Sequence, residues 1–368
     1  VNILFEVGHP AHVHLFKYLI GELEKNGYRT QIAVREREGM VGPLLEKYGF
    51  PYKMMKPNAQ GMFGKAVTMI KNDMALLKIA RKSKPDIFVS VASPYSAHVS
   101  TIIRKPHISL TDTEDAGLQL KLMVPFTETI LTPDCFLKSF PEKKHIRYPG
   151  YHELAYLHPN RFTPDPSVLE YLGVEKGEKY VIMRFSAWDA SHDIGQHGLQ
   201  SDEERLNLVK EIEKYARVFI SSEIPLKGGL ERRRINIPIH RVHDALYYAS
   251  LYVGDGHKMA AESGILGTPS IIISTRWDRT GNFRDFVNKY DVVRAFKEID
   301  EARDASLSVL QSKTEAEKWR ERAENMLAEK IDLTAFLRYF IENYPASHKI
   351  YMEEGDALFN KFKGVNHG

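Results

Sequence analysis

Two doubly wound α/β domains in tandem are the architecture this chain predicts, and three observations carry that expectation. The length, 368 residues, is about twice the commonest domain size. Short apolar runs alternate with stretches of helical spacing in both halves. A stretch rich in proline and glycine separates the halves.

The first apolar run, 1–7, is ended by Gly8-His9-Pro10. Residues 12–26 then place Val13, Phe16, Leu19, Ile20 and Leu23 on one helical face, Gly27 stops the helix, and 30–34 is a second strand. A strand, a helix and a strand in this order form a parallel pair with a right-handed crossover. The alternation continues with helices over 42–48 and 66–83 and strands over 87–91, 107–110 and 128–131, giving a first domain over 1–160. Pro149, Gly150, Pro159, Pro164, Pro166, Gly173 and Gly177 mark 147–179 as a linker. The second domain, 161–330, reads as strands 180–184, 218–221, 251–254 and 270–274 with helices 203–215, 244–249 and 259–266. Residues 314–343 read as one charged helical stretch and 346–368 as a polar tail.

Composition narrows the function. Fifty-one basic residues stand against 48 acidic ones, a net charge of +3, without the cationic excess that a nucleic-acid binder needs. One cysteine, Cys135, rules out an internal disulfide framework and a cysteine-based zinc site. No apolar run approaches the roughly 20 residues of a membrane span, and the first residues lack the basic region and cleavage site of a signal peptide. The expectation is a cytoplasmic protein.

The segment Gly254-Asp255-Gly256-His257-Lys258 ends a strand and opens a helix, so its backbone N–H groups favour an anion such as a diphosphate. Glu262 lies one turn beyond Lys258 and could accept hydrogen bonds from both hydroxyls of a ribose. Gly8-His9-Pro10-Ala11-His12 stands at the carboxyl edge of the first strand, where open α/β sheets bind ligands. His9 or His12 there could take a proton from a hydroxyl, or simply cap the helix; His14 points elsewhere. Asp112 and Glu114, in Thr111-Asp112-Thr113-Glu114-Asp115, follow another strand and could act as acid or base or as early helix residues. Arg184 and Ser186 begin the loop 184–189, which by itself reads as a surface loop, and His243 stands just before a short helix. Ser221-Ser222-Glu223 and Trp277-Asp278-Arg279 close two further strands. Residues 65–84 carry a cluster of Lys and Arg among apolar residues, either a core-facing helix with solvated lysines or a surface for anionic lipid.

Gly254, Gly256, Glu262, Gly267 and Pro269 resemble the nucleotide-sugar signature of GT-B glycosyltransferases and of non-hydrolysing UDP-N-acetylglucosamine 2-epimerases. The resemblance implies a GT-B-like fold of two Rossmann-type domains with an inter-domain cleft, and a C-terminal helix, 331–345, that crosses back to the first domain. It implies diphosphate contacts from Gly256, His257 and Lys258, and ribose contacts from Glu262, and it brings the loop of Arg184 and Ser186 near the donor diphosphate. The position of Gly8 and the histidines after it resembles that of the Gly-rich, His-containing turn of the lipid-linked peptidoglycan N-acetylglucosaminyltransferase. Nearly full length, Val7-Gly8-His9-Pro10-Ala11-His12, Thr111-Asp112-Thr113-Glu114, Tyr148-Pro149-Gly150-Tyr151 and Pro159-x-x-Phe162 resemble a prokaryotic domain-of-unknown-function family placed near those enzymes.

The expected function is transfer of a sugar from a nucleotide donor, UDP-linked on the resemblance, with no separate cofactor and no essential metal, since no Asp-x-Asp stands at a strand end. The expected partners are the nucleotide-sugar and a glycan or lipid-linked acceptor, with membrane contact through 65–84. A 2-epimerase and a catalytically inactive binding protein of the same fold are the alternatives. Ser90-Val91-Ala92-Ser93-Pro94 lacks the Asp that the epimerases place there.

Overall fold

The first strand, β1 (Asn2–Val7), is apolar at four of its six positions and buried on both faces, as a central parallel strand must be. In the computed structural model, which describes residues 1–35, 39–55, 62–186 and 201–364, it is followed by α1 (Pro10–Lys25) and β2 (Arg29–Val34). Val13, Phe16, Leu19, Ile20 and Leu23 form the buried stripe of α1, and Phe16 meets Phe5 of β1 at 5.2 Å between ring centroids. Next come α2 (Val41–Lys47), β3 (Tyr52–Met54), α3 (Met62–Ser83), β4 (Ile87–Val91), α4 (Pro94–Ile102) and β5 (His107–Leu110). The side chains of α3 are described from Val67 onward. α5 (Gly117–Met123), β6 (Thr129–Pro133), β7 (His145–Tyr148) and α6 (Leu154–Leu157) complete this part of the chain.

The strands form one seven-stranded parallel sheet in the order β3-β2-β1-β4-β5-β6-β7. Strand order reverses between β1 and β4, so a crevice opens at their carboxyl ends. β3, β7, α4 and α5 are absent from the sequence reading. Tyr52–Met54 has three residues, and Gly117–Met123 has only Leu120 and Met123 buried, so neither offers a full period to recognise. The supposed linker needs correction at its start, because Tyr151, Leu154, Ala155, Tyr156 and Leu157 are buried. Pro149 and Gly150 turn the chain there without releasing it from the core.

α7 (Val168–Leu172) leads to β8 (Tyr180–Phe185), α8 (Asp202–Ile212), β9 (Arg217–Ser222), α9 (Val242–Tyr248), β10 (Leu251–Gly254), α10 (His257–Ile265) and β11 (Ser270–Ile273). α11 (Gly281–Arg284), β12 (Arg294–Phe296), α12 (Ile299–Gln311) and α13 (Glu315–Glu329) follow. The sheet is parallel, five-stranded and ordered β12-β11-β10-β8-β9, with its reversal between β8 and β10. Val181, Met183, Val253, Ile271, Val209 and Ile212 share its core with Trp319 of α13. The Trp319 indole N–H donates to the Val292 carbonyl at 2.8 Å, which satisfies its one polar atom in the interior.

The chain divides into unit 1, Val1–Arg161 with Lys330–Gly368, and unit 2, Phe162–Glu329. The helical stretch over 314–343 consists of two helices. α13 ends at Glu329, and α14 (Leu333–Glu342) starts afresh with Asp332 capping the Ala335 N–H at 3.0 Å. α14 belongs to unit 1, where Leu333, Phe336, Leu337, Phe340 and Ile341 recur at helical spacing and are buried beside α1 and α6. The polar-tail reading also needs correction. α15 (Ala346–Glu354) and a 3-10 turn follow, and Leu358 and Phe359 are fully buried, with Phe359 and Phe362 packed on Phe336. A few large apolar anchors suffice to hold an otherwise charged segment.

Candidate functional site

In unit 2 the crevice at the β8/β10 reversal is built by backbones in near contact. A β-carbon on Gly254 would lie 2.4 Å from the Arg184 carbonyl oxygen. One on Gly256 would lie 2.6 Å from Arg184 Cγ and 3.4 Å from Ser186 Oγ. At Gly254 the obstacle is backbone, so glycine is required there, whereas at Gly256 it is the Arg184 side chain, which a β-carbon would displace. Asp255, 2% exposed, stitches the two strand ends together by accepting from the Ser186 N–H at 2.8 Å. Gly256 is the N-cap of α10, and its carbonyl accepts from the Tyr252 hydroxyl at 2.9 Å. The first turn of α10 opens on this crevice with no acidic residue in it, an arrangement that favours an anion.

Arg184 is positioned from the neighbouring strand, since one Nη donates to Ser221 Oγ at 2.6 Å and the other meets Glu223. Ser221 and Glu223, read from sequence as a separate feature, thus hold the guanidinium. His257 contacts Ser274 Oγ at 3.2 Å and stacks edge-on against Phe283 at 4.8 Å, while Lys258 is half-buried beside it. Glu262 is 4% exposed. His243, expected before a helix, lies inside α9, and its Nε2 is 3.2 Å from Glu262 Oε1. Two residues singled out separately are thereby one buried pair. Ala187, Trp188 and Asp189 lie outside the described residues. Trp277, Asp278 and Arg279 form a 3-10 turn after β11.

In unit 1 the residues after β1 behave as a helix cap. His9 Nδ1 accepts from the Ala11 N–H at 3.1 Å, and His12 Nδ1 accepts from the Gly8 N–H at 3.3 Å. A ring nitrogen that accepts from an amide carries its lone pair there, so the neutral ring bears its proton on Nε2. His9 and His12 therefore present Nε2–H donors in this arrangement, which favours a hydrogen-bonding role over that of a general base. Burial holds the His12 pKa well below the ordinary imidazole value, with His9, Arg35 and His152 adding to the effect and Asp112 opposing it. Gly8 is again a close approach, because a β-carbon there would lie 2.7 Å from an Arg35 Nη. The Arg35 guanidinium itself pairs with Glu6 at 3.3 Å, both side chains buried.

Asp112, expected as acid or base, lies beyond β5, and its Oδ2 is 3.0 Å from Nδ1 of the buried His152. His152 follows β7 and escaped the sequence reading because it stands in the segment taken for a linker. Its Nε2 is buried without a hydrogen-bond partner, as are Tyr148 Oη and Thr111 Oγ1. Buried polar atoms in this state mark a place where a polar ligand or water completes the bonding. Burial also raises the Tyr148 pKa well above the ordinary phenol value, with Asp112 and Glu153 reinforcing it. Ala92, at the end of β4, holds φ at 46°, a left-handed conformation that costs a non-glycine residue about 1–2 kcal/mol. Glu114 is buried, but one carboxylate oxygen accepts from the Leu137 N–H at 3.0 Å and so anchors a loop. His14 meets the Tyr48 hydroxyl at 3.4 Å, which accounts for it structurally.

The profile of the family described as "Protein of unknown function (DUF354)" matches residues 1–333. An uncharacterised protein of Methanocaldococcus jannaschii is 24% identical over 286 residues, covering 74% of this chain and 81% of that one. Among solved structures, the UDP-GlcNAc 2-epimerase of Neisseria meningitidis bound to UDP-GlcNAc superposes with a TM-score of 0.66 at 13% identity, over 96% of this chain and 99% of that one. The spinosyn rhamnosyltransferase complexed with thymidine diphosphate gives a TM-score of 0.62 at 13% identity, over 93% and 100%. The fold is the mixed α/β GT-B fold of these glycosyltransferases and epimerases. No helix among the described residues is long and apolar enough to cross a membrane.

Proposed function

Because the chain belongs to the DUF354 family and carries two Rossmann-type units of the GT-B kind, we propose that it is a glycosyltransferase using a nucleotide-sugar, UDP-linked on the sequence signature. The observation that carries this reading is the unit 2 crevice, where a β-carbon on Gly254 would meet the β8 backbone, one on Gly256 would meet the Arg184 side chain, and α10 begins beside Arg184. The N–H groups of the first α10 turn, Arg184 and Lys258 take the donor diphosphate and stabilise its charge as it leaves. Ser186 and His257 border the same turn. Glu262, oriented by His243, accepts from the ribose hydroxyls.

Unit 1 carries its own candidate acid–base pair, assigned to the acceptor. Asp112 accepts from His152 Nδ1–H, which leaves the Nε2 lone pair to take the proton of the acceptor hydroxyl. The acceptor oxygen bonds to the sugar C1 as the bond from C1 to the diphosphate oxygen breaks, and the electron pair departs with the nucleoside diphosphate. His9 and His12, as donors, hold the acceptor. The 2-epimerase reading has less support, because the stretch 90–94 at the end of β4 lacks the acid that reading requires, and its Ser93 is a helix cap, accepting from the Ser96 N–H at 3.3 Å.

Calorimetric titration with UDP, UDP-sugars, thymidine diphosphate, GDP and ADP, on the wild type and Glu262→Ala, tests the donor site. Binding of one nucleotide that weakens at least about tenfold in the variant is expected. Absence of binding by every nucleotide would remove the donor site and the reaction with it.

A further inference from the structure

α3 inverts the usual partition of an amphipathic helix over its first described turns. Thr68 and Asn72 face inward at 4% and 0% exposure, while Val67, Ile70 and Met74 face outward at 50%, 58% and 65%. The helix has a proper core face further along, where Leu76 and Ala80 pack with Leu4, Phe88 and Val99. The outward apolar residues are thus a separate set. At 100° per residue, Val67, Ile70, Lys71, Met74, Lys78, Arg81 and Lys82 fall within one arc of about 120°. All are exposed.

No carboxylate lies in that arc. Asp73, the one acid of the helix, points to the other side, where it meets His98 of α4 at 3.1 Å. The helix layer continues this chemistry, since α4 packs beside α3 and α5 beside α4. Ile102, Leu118 and Phe126 on it are 56%, 72% and 41% exposed, and Arg104 and Lys121 are exposed as well.

We infer that the outer face of α3 docks on a bilayer surface bearing anionic headgroups. The cations and the apolar side chains share one side of the helix, so the axis lies parallel to the membrane plane. Val67, Ile70 and Met74 enter the headgroup–acyl boundary, and Lys71, Lys78, Arg81 and Lys82 meet lipid phosphates. Charge complementarity selects this occupant, because an uninterrupted cationic flank around apolar residues matches a surface that is anionic outside and apolar beneath. The inference stands apart from the reaction proposed above and would hold for any activity of this chain.

Flotation of the full chain with vesicles of neutral phosphatidylcholine, or with roughly a third phosphatidylglycerol, tests it. The wild type is expected to float with anionic vesicles only and to detach as salt rises. Ile70→Glu with Met74→Glu, and separately Lys71→Glu with Lys78→Glu, should each weaken binding about tenfold or more. Thermal melts of both variants should match the wild type, since every altered side chain is exposed. Failure of the wild type to bind anionic vesicles, or equal binding by the variants, would overturn the inference. So would self-association in solution that Ile70→Glu abolishes, which would assign the face to a second copy of the chain.

Discussion

The imidazole of His243 and the carboxylate of Glu262 meet at 3.2 Å inside unit 2, their side chains 3% and 6% exposed. The contact joins α9 to α10 and fixes the acid on which the donor site is proposed to turn. Truncating either residue removes this contact from the other, which stays buried. Each of His243→Ala and Glu262→Ala should therefore cost about 2–4 kcal/mol, and the double variant should cost less than their sum by roughly 1–3 kcal/mol. Urea unfolding of the three variants measures both numbers. Strict additivity would mean that the pair contributes nothing.

The two site glycines should separate stability from binding. An alanine at Gly254 would press its β-carbon on the backbone of β8, 2.4 Å from the Arg184 oxygen and 2.8 Å from its nitrogen, which cannot yield without disturbing the strand. Gly254→Ala should destabilise by about 3 kcal/mol. At Gly256 the obstacle is the Arg184 side chain at 2.6 Å, which can swing aside. Gly256→Ala should unfold within about 1 kcal/mol of the wild type yet bind nucleotide about tenfold more weakly, because the guanidinium is displaced. Denaturation midpoints set beside calorimetric affinities decide the matter, and equal stability losses at the two positions would contradict it.

Asp112→Asn probes the acid–base pair without altering its size. The amide NH2 can face His152 Nδ1, which would then accept and leave the proton on Nε2. Sugar transfer, followed by nucleoside diphosphate release, should fall by about 10²–10⁴ while nucleotide affinity stays unchanged. A variant with undiminished turnover would place the base elsewhere.

Acid should destabilise unit 1 through its interior histidines. Burial depresses His107 from 6.5 to about 3, and its ring contacts Ser90 Oγ at 2.8 Å and Thr127 Oγ1 at 2.9 Å. His145 is lowered to about 4, by burial first and then by Arg147. Between about pH 6.5 and the folded value, the unfolded chain binds a proton that the folded one does not, so stability falls as pH falls. Fully buried His107 should contribute a slope of about 1.4 kcal/mol per pH unit over that window. Melting temperatures recorded from pH 7 to pH 4 give the trend, and the His107 ring resonances should remain flat across it. A His107 that titrates near its unperturbed value would refute this account.

Much of the chain could be read before the structure was known, and particular residues show where reading stopped. Parallel strands buried on both faces, such as β1 and β10, announce themselves as apolar runs closed by glycine. Three-residue strands such as Tyr52–Met54 and Arg294–Phe296 owe their pairing to the neighbouring strand alone, which no local pattern encodes. Glu262 and His243 were each visible from their neighbours, but 19 positions of sequence conceal a 3.2 Å contact. His152 was hidden by its company, since Pro149 and Gly150 read as punctuation although the chain beyond them is buried. The outward set on α3 was visible as residues but not as a face, because periodicity cannot tell which side of a helix meets the sheet.

Unit 1 is written in two pieces, with unit 2 between them in the chain. α1 finds its partner α14 only after most of the polypeptide has been made; Asn26 bonds Glu342 across 316 positions at 2.6 Å, and Glu22 bonds Arg338 at 3.0 Å. On the ribosome, therefore, the first unit begun is the last one finished. The contiguous second unit can close while the outer stripe of α1 still waits uncovered, which makes the nascent first unit the natural client of a holding chaperone. A premature stop anywhere in α14 would strand it in that state.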